Sequence, residues 1–158
     1  MANLQQPHIE FTSSFQTSVR ISFQVNFAAN DFGSIFPTFA FSARVFFNVI
    51  RIVPIPIIVG TPPPPLPPPV TLNSVTLNVP RPSTGHVRSL GTEFTYTFAV
   101  NSILITDHLH AVIRLRRRAN FLPNTDLFNN VIDTQRTNDL VLTVSDLASP
   151  QPNGVIIP

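Results

Sequence analysis

Two histidines, His108 and His110, stand two residues apart, with Asp107 just before them and the run Arg114, Leu115, Arg116, Arg117, Arg118 just after. On a strand, residues two apart share a face, so both imidazoles would point the same way, in company with Thr106 and Arg114. Two imidazoles so placed can hold zinc or copper, with Asp107 as a third ligand. Asp107 has the opposite parity, however, and points away unless a turn intervenes, and the neighbouring guanidinium groups repel a cation. The pair therefore reads as the outward polar side of a half-buried strand, and no metal site is expected.

The arginine run is the one dense charge cluster in the chain. Arg114, Arg116, Arg117 and Arg118 could grip the phosphates of a nucleic acid or the acid groups of an anionic glycan. The competing role is pairing with Asp126, Asp133, Asp139 or Asp146, within the subunit or across to a neighbour, which suits the bidentate geometry of arginine. The reading favours pairing, and salt dependence separates the two. Catalysis has less to stand on. Two Glu, six Asp and four His are scattered, with no spacing that forces a carboxylate pair, and no Gly-x-Ser-x-Gly, His-Glu-x-x-His or phosphate-binding loop is present. No catalytic residue and no cofactor is expected.

The elements that must position these residues are strands. Residues 9–27 alternate almost strictly: Ile9, Phe11, Phe15, Val19, Ile21, Phe23, Val25 and Phe27 on odd positions, polar residues on every even one. A period of two makes one apolar and one wet face, whereas a helix would scatter the same phenylalanines around its axis. At about 3.3 Å per residue this stretch would reach roughly 60 Å, so it either folds into a hairpin at Ser13-Ser14 or runs out beyond its own domain as an arm. Alternation resumes from Phe39 to Val49. From Phe46 on, the even positions Ile50 and Ile52 are apolar too, as in a strand covered on both faces.

Residues 60–69 (GTPPPPLPPP) should form a polyproline II rod. A ligand for a proline-recognition domain is conceivable, but no flanking basic residue orients it, and a stiff connector is the preferred reading. Residues 70–79 (VTLNSVTLNV) repeat a five-residue phrase with a slip in parity, which predicts a β-bulge near Asn73-Ser74. Further strands are expected at 94–100, 108–118 and 139–145, with a short helix near 125–131 and an extended tail at 150–158 that ends in Val155, Ile156 and Ile157. Seven or eight short strands with Pro, Asn and Gly loops predict a single all-β domain over 1–158, an antiparallel β-sandwich or jelly roll.

Composition narrows the function. Only 11% of residues are charged against 43% hydrophobic, and the ten basic residues are all Arg. A net charge of +2 is not the global excess of a nucleic-acid binder, so nucleic acid is disfavoured as a partner. With no Trp and one Tyr, the aromatic platform common in sandwich lectins is missing, and with no Cys there is no disulfide framework. The most apolar window, 39–59, is broken by Arg44, Arg51, Pro54 and Pro56, so no membrane span is expected. The N-terminus has no basic start and no apolar core of a signal peptide.

These features together predict a structural subunit that partners copies of itself by β-strand addition into a filament, appendage or shell, at a cell or particle surface or outside the cell. Residues 1–15 would serve as an assembly arm, with Ile9, Phe11, Phe15, Phe46, Ile50, Ile52, Val155, Ile156 and Ile157 at the interface. The alternative is a non-catalytic module that binds an anionic polymer through Arg114 to Arg118.

Overall fold

The computed structural model describes residues 1–12, 18–28, 31, 39–53, 59–62, 65–80, 85–97, 105–119 and 130–143. They form eight strands in two antiparallel sheets, and among the described residues there is no helix. The first sheet has the order β1-β2-β5, with β1 at Asn3–Phe11, β2 at Ser18–Asn26 and β5 at Val87–Thr95. The second has the order β4-β3-β6-β7, with β3 at Phe39–Ile52, β4 at Val70–Val79, β6 at Thr106–Ala119 and β7 at Asn130–Arg136. A short β8, Leu140–Thr143, also pairs with β6, along the half of it that β7 leaves open.

The long alternating stretch is a hairpin, not one extended ribbon: Phe11 lies opposite Val19 and Glu10 opposite Arg20. Its turn, residues 13–17, is outside the described residues. The odd positions Val19, Ile21, Phe23, Val25 and Phe27 are all buried, as their period of two requires. β1 changes parity on the way. Ala2 and Leu4 are buried on even positions and Ile9 on an odd one, because the pairing slips between Gln5 and His8, where Gln6 takes a φ of 51° ahead of Pro7.

The inward faces of the two sheets share one core. Phe47 of β3 stacks on Phe94 of β5, with ring centroids 5.5 Å apart, and meets Tyr96 edge-on at 6.2 Å. Phe27 and Phe41 meet edge-to-face at 5.2 Å at the other end. Such offset and edge contacts suit the ring quadrupole and add to the burial itself. Leu109, Ala111, Ile113 and Leu115 of β6 complete the floor on alternate positions.

Several sequence expectations need correction. Asn130 and Val131 open a strand instead of closing a helix, and the rest of the expected helix lies outside the described residues. The strand expected at 94–100 begins at Val87, seven residues earlier, and has ended by Tyr96; residues 98–100 are not described. In β4 the extra residue is Leu72, since Phe47 faces Asn73 and Asn48 faces Thr71, next to the slip read at Asn73-Ser74. Residues 65–69 of the proline-rich stretch belong to no strand and are exposed.

Candidate functional site

Three places bring polar chemistry or open backbone together, and the strand registers set all three. The first lies inside. Asp107 is fully buried on the inward face of β6, directly opposite Arg51 of β3. Arg51 donates from Nε to Oδ1 at 2.8 Å and from its terminal nitrogen to Oδ2 at 2.9 Å, and the Tyr96 hydroxyl also donates to Oδ2. This fork-on-fork pair, closed by a third donor, is what allows a carboxylate in the core. Burial, and then the bond to Asp107, pushes the Tyr96 phenol above its ordinary range. The bond to Asp107 likewise raises Arg51. Every member is engaged within the chain, so the group reads as a structural lock.

The second place is the outward face of the five-stranded sheet. His110 does not lie on an open polar side as the alternation implied; it is buried, beside Asn48, whose Nδ2 sits 3.4 Å from Nε2. Asn48 is itself bonded by the Thr71 hydroxyl at 2.8 Å. Burial, reinforced by Arg136, lowers the His110 imidazole below its usual value. His108 is half-buried on the same face, and Asp107 points to the opposite one, so the three never converge. Among the described residues no group of His, Asp or Glu is placed to hold a metal ion.

Further along this face lie the arginines. Arg44 of β3 stands directly opposite Arg114 of β6, and both guanidinium groups lie over the Phe46 ring, at 5.1 and 4.9 Å from its centre. Arg116 lies one step on, opposite Ser42, with its Nε buried and without a hydrogen-bond partner. Among the described residues no acid pairs with Arg44, Arg114 or Arg116. Asp133 accepts from the Leu4 amide, Asp139 accepts from Arg136, and Asp126 and Asp146 lie outside the described residues. Arg117 is half-buried on the other parity, and the side chain of Arg118 is not described.

The third place is two of the outer strand edges, those of β1 and β4. The edge of β1 is closed: the Leu4 amide donates to Asp133 at 2.7 Å, and Asn138 clasps Ile9, accepting from its amide at 3.0 Å and donating to its carbonyl at 3.1 Å. A side-chain amide here takes the place of a neighbouring strand. The edge of β4 is different. β4 pairs with β3 on one side, and among the described residues nothing pairs with the other. Its ten residues include no charge and no proline, and Val70 and Leu72 remain 60% and 47% exposed.

The expected interface residues are distributed accordingly. Ile9 is fully buried and Phe11 half-buried in the chain's own sheet, where residues 3–11 form β1. Phe46, Ile50 and Ile52 are half-buried on the outward face of β3, and Phe15, Val155, Ile156 and Ile157 lie outside the described residues. Sequence reasoning missed Arg44, Arg51, Tyr96 and Asn138. For Arg44 the signal was its spacing of two from Phe46; the others acquire meaning only from cross-strand register.

No family model, no curated protein and no solved structure matches this chain. Among the described residues no helix is long and apolar enough to cross a membrane.

Proposed function

We propose that this chain is a structural subunit that associates with copies of itself by adding strands across the open edge of β4. The observation that carries this reading is the contrast between the edges of β1 and β4, the first clasped by Asp133 and Asn138 and the second uncharged and, among the described residues, unpaired. An edge strand presents a row of unsatisfied donors and acceptors, which proteins ordinarily blunt with charge, proline or a bulge. β4 has one bulge, at Leu72, and from Asn73 to Val79 it is regular. Such a row is its own complement when a second copy is turned antiparallel, and with no charge on the strand nothing repels that copy. Each added main-chain bond contributes about 1 kcal/mol net, so a full-length pairing is comparable with the entropy lost on association. The contact is therefore concentration-dependent, and repetition through other surfaces would extend it to a filament or shell.

We read the two sheets as an antiparallel sandwich. The order β1-β2-β5 against β4-β3-β6-β7 is a Greek-key order, closer to immunoglobulin-type sandwiches than to a jelly roll, and this is a likeness of fold alone. In this reading the N-terminal segment belongs to the sandwich, and the assembling strand is β4. No catalytic role is proposed; Asp107, Arg51 and Tyr96 are engaged with one another.

The test is sedimentation velocity over a range of concentrations on the wild type and on Val70→Lys/Leu72→Lys. These side chains are already half in water, so the substitutions leave the core intact while placing like charges along the edge. The wild type should form larger species as concentration rises, and the variant should stay monomeric. Equal association of the two would remove β4 from the interface.

A further inference from the structure

We propose that the outward face of the five-stranded sheet carries an oxyanion site, built from Arg44, Arg114 and Arg116 around Phe46, that takes phosphate or sulfate groups. The site does not rest on β4 assembly, because its arginines stand on β3 and β6.

The registers place four residues side by side across four strands: Thr76 of β4 opposite Arg44, Arg44 opposite Arg114, and Arg114 opposite Thr134 of β7. The next row adds Ser42 opposite Arg116. Like charges directly opposite one another on neighbouring strands destabilise a sheet. Here the pair is held in place because both guanidinium groups reach back over the same ring, 5.1 and 4.9 Å from its centre. Cation–π contact fixes their position and leaves their charge unneutralised.

A chain would normally cancel such a charge with a carboxylate, and the described acids are all engaged elsewhere. Asp107 is held by Arg51, Glu93 by Arg20, Asp139 by Arg136, Asp133 by the Leu4 amide and Asp31 by the Ala28 amide, while Glu10 lies beside His8. None of them pairs with Arg44, Arg114 or Arg116. The second, independent sign is Arg116, whose Nε is buried with no partner, a donor that a structure rarely leaves unmet.

Convergent guanidinium forks recognise the oxygens of phosphate or sulfate, and the flanking hydroxyls of Thr76, Thr134 and Ser42 are suited to the remaining oxygens. Phe46 already carries both guanidinium groups over its ring, so the chemistry recognised is the oxyanion itself. That group could arrive as the free ion or as one unit of a phosphorylated or sulfated chain.

Equilibrium dialysis tests this on the full chain whatever its state of assembly. Labelled inorganic phosphate is one probe and a short polyphosphate the other, with chloride holding ionic strength constant. The proteins are the wild type, Arg44→Gln, Arg114→Gln, Arg44→Lys and, as a control on the other sheet, Arg88→Gln. Each glutamine substitution removes one of two opposed charges, so folding is preserved, and circular dichroism checks it. Saturable binding is expected, weakened about tenfold by either glutamine variant, less by the lysine variant, and unchanged in the control. Tighter uptake of polyphosphate per phosphate group would place the group on a chain, and equal uptake would indicate the free ion; both support the site. No saturable binding of either probe by the wild type, or binding that both glutamine variants retain, would overturn it.

Discussion

Replacing Asp107 with alanine tests the claim that the buried polar group is a lock. The substitution removes a fully buried carboxylate that accepts two bonds from Arg51 and one from the Tyr96 hydroxyl. The two partners lose unequally. Tyr96 is buried, and leaving its hydroxyl without an acceptor costs about 1 to 3 kcal/mol. Arg51 keeps 39% of its side chain in solvent, so its guanidinium can return to water, and its share falls well short of the 3 to 5 kcal/mol of a fully buried broken pair. The total is about 3 kcal/mol. For a chain of this length that lowers Tm by about 6 to 12 °C. Urea unfolding followed by circular dichroism gives the free energy, and a thermal melt gives Tm. The triple replacement Arg51→Met/Tyr96→Phe/Asp107→Leu should lie much closer to the wild type, since removing every member leaves nothing unsatisfied. If Asp107→Ala costs less than about 0.5 kcal/mol, the lock reasoning fails, because that is the range of an ordinary surface change.

Tyr96 is the only tyrosine, and with no tryptophan its ionisation can be followed alone by near-ultraviolet absorbance. Its folded pKa is raised by burial and by Asp107, so the unfolded chain releases this proton first, and stability should fall as pH rises past about 10, the ordinary tyrosine value. Tyr96→Phe should flatten that alkaline slope, and a tyrosinate signal appearing near pH 10 in the folded protein would contradict the burial. Asn138→Ala should speed hydrogen exchange at the Ile9 amide while leaving Leu4, held by Asp133, unchanged. Unaltered exchange at Ile9 would show that Asn138 does not close the β1 edge.

Much of the sheet architecture was legible because burial on one face imposes a period of two. β2 declares itself through Val19, Ile21, Phe23 and Val25, and β6 through Leu109, Ala111, Ile113 and Leu115. β5 and β7 were misread because their apolar residues are sparse, Val87, Leu90 and Phe94 in the one and Val131 and Ile132 in the other, so no clean alternation marks the strand. β1 hid its first half behind the slip at Gln6-Pro7, which moves Leu4 and Ile9 onto the same face in spite of their opposite parity. The site was less legible than the fold. Arg114 and Arg116 stood out as a charge run, yet what defines the patch is Arg44 opposite Arg114, and a cross-strand register between residues seventy apart leaves no trace in local spacing. Asp107 could be assigned to the inward face from parity alone, but its partners could not.

The edge of β4 is tested most directly by hydrogen exchange, comparing the associated chain at high concentration with the dissociated chain at low concentration. The account predicts that β4 amides pointing away from β3 are slow in the first and fast in the second, while those of β1 do not change. Rapid exchange at those β4 amides under both conditions, with association intact, would contradict it.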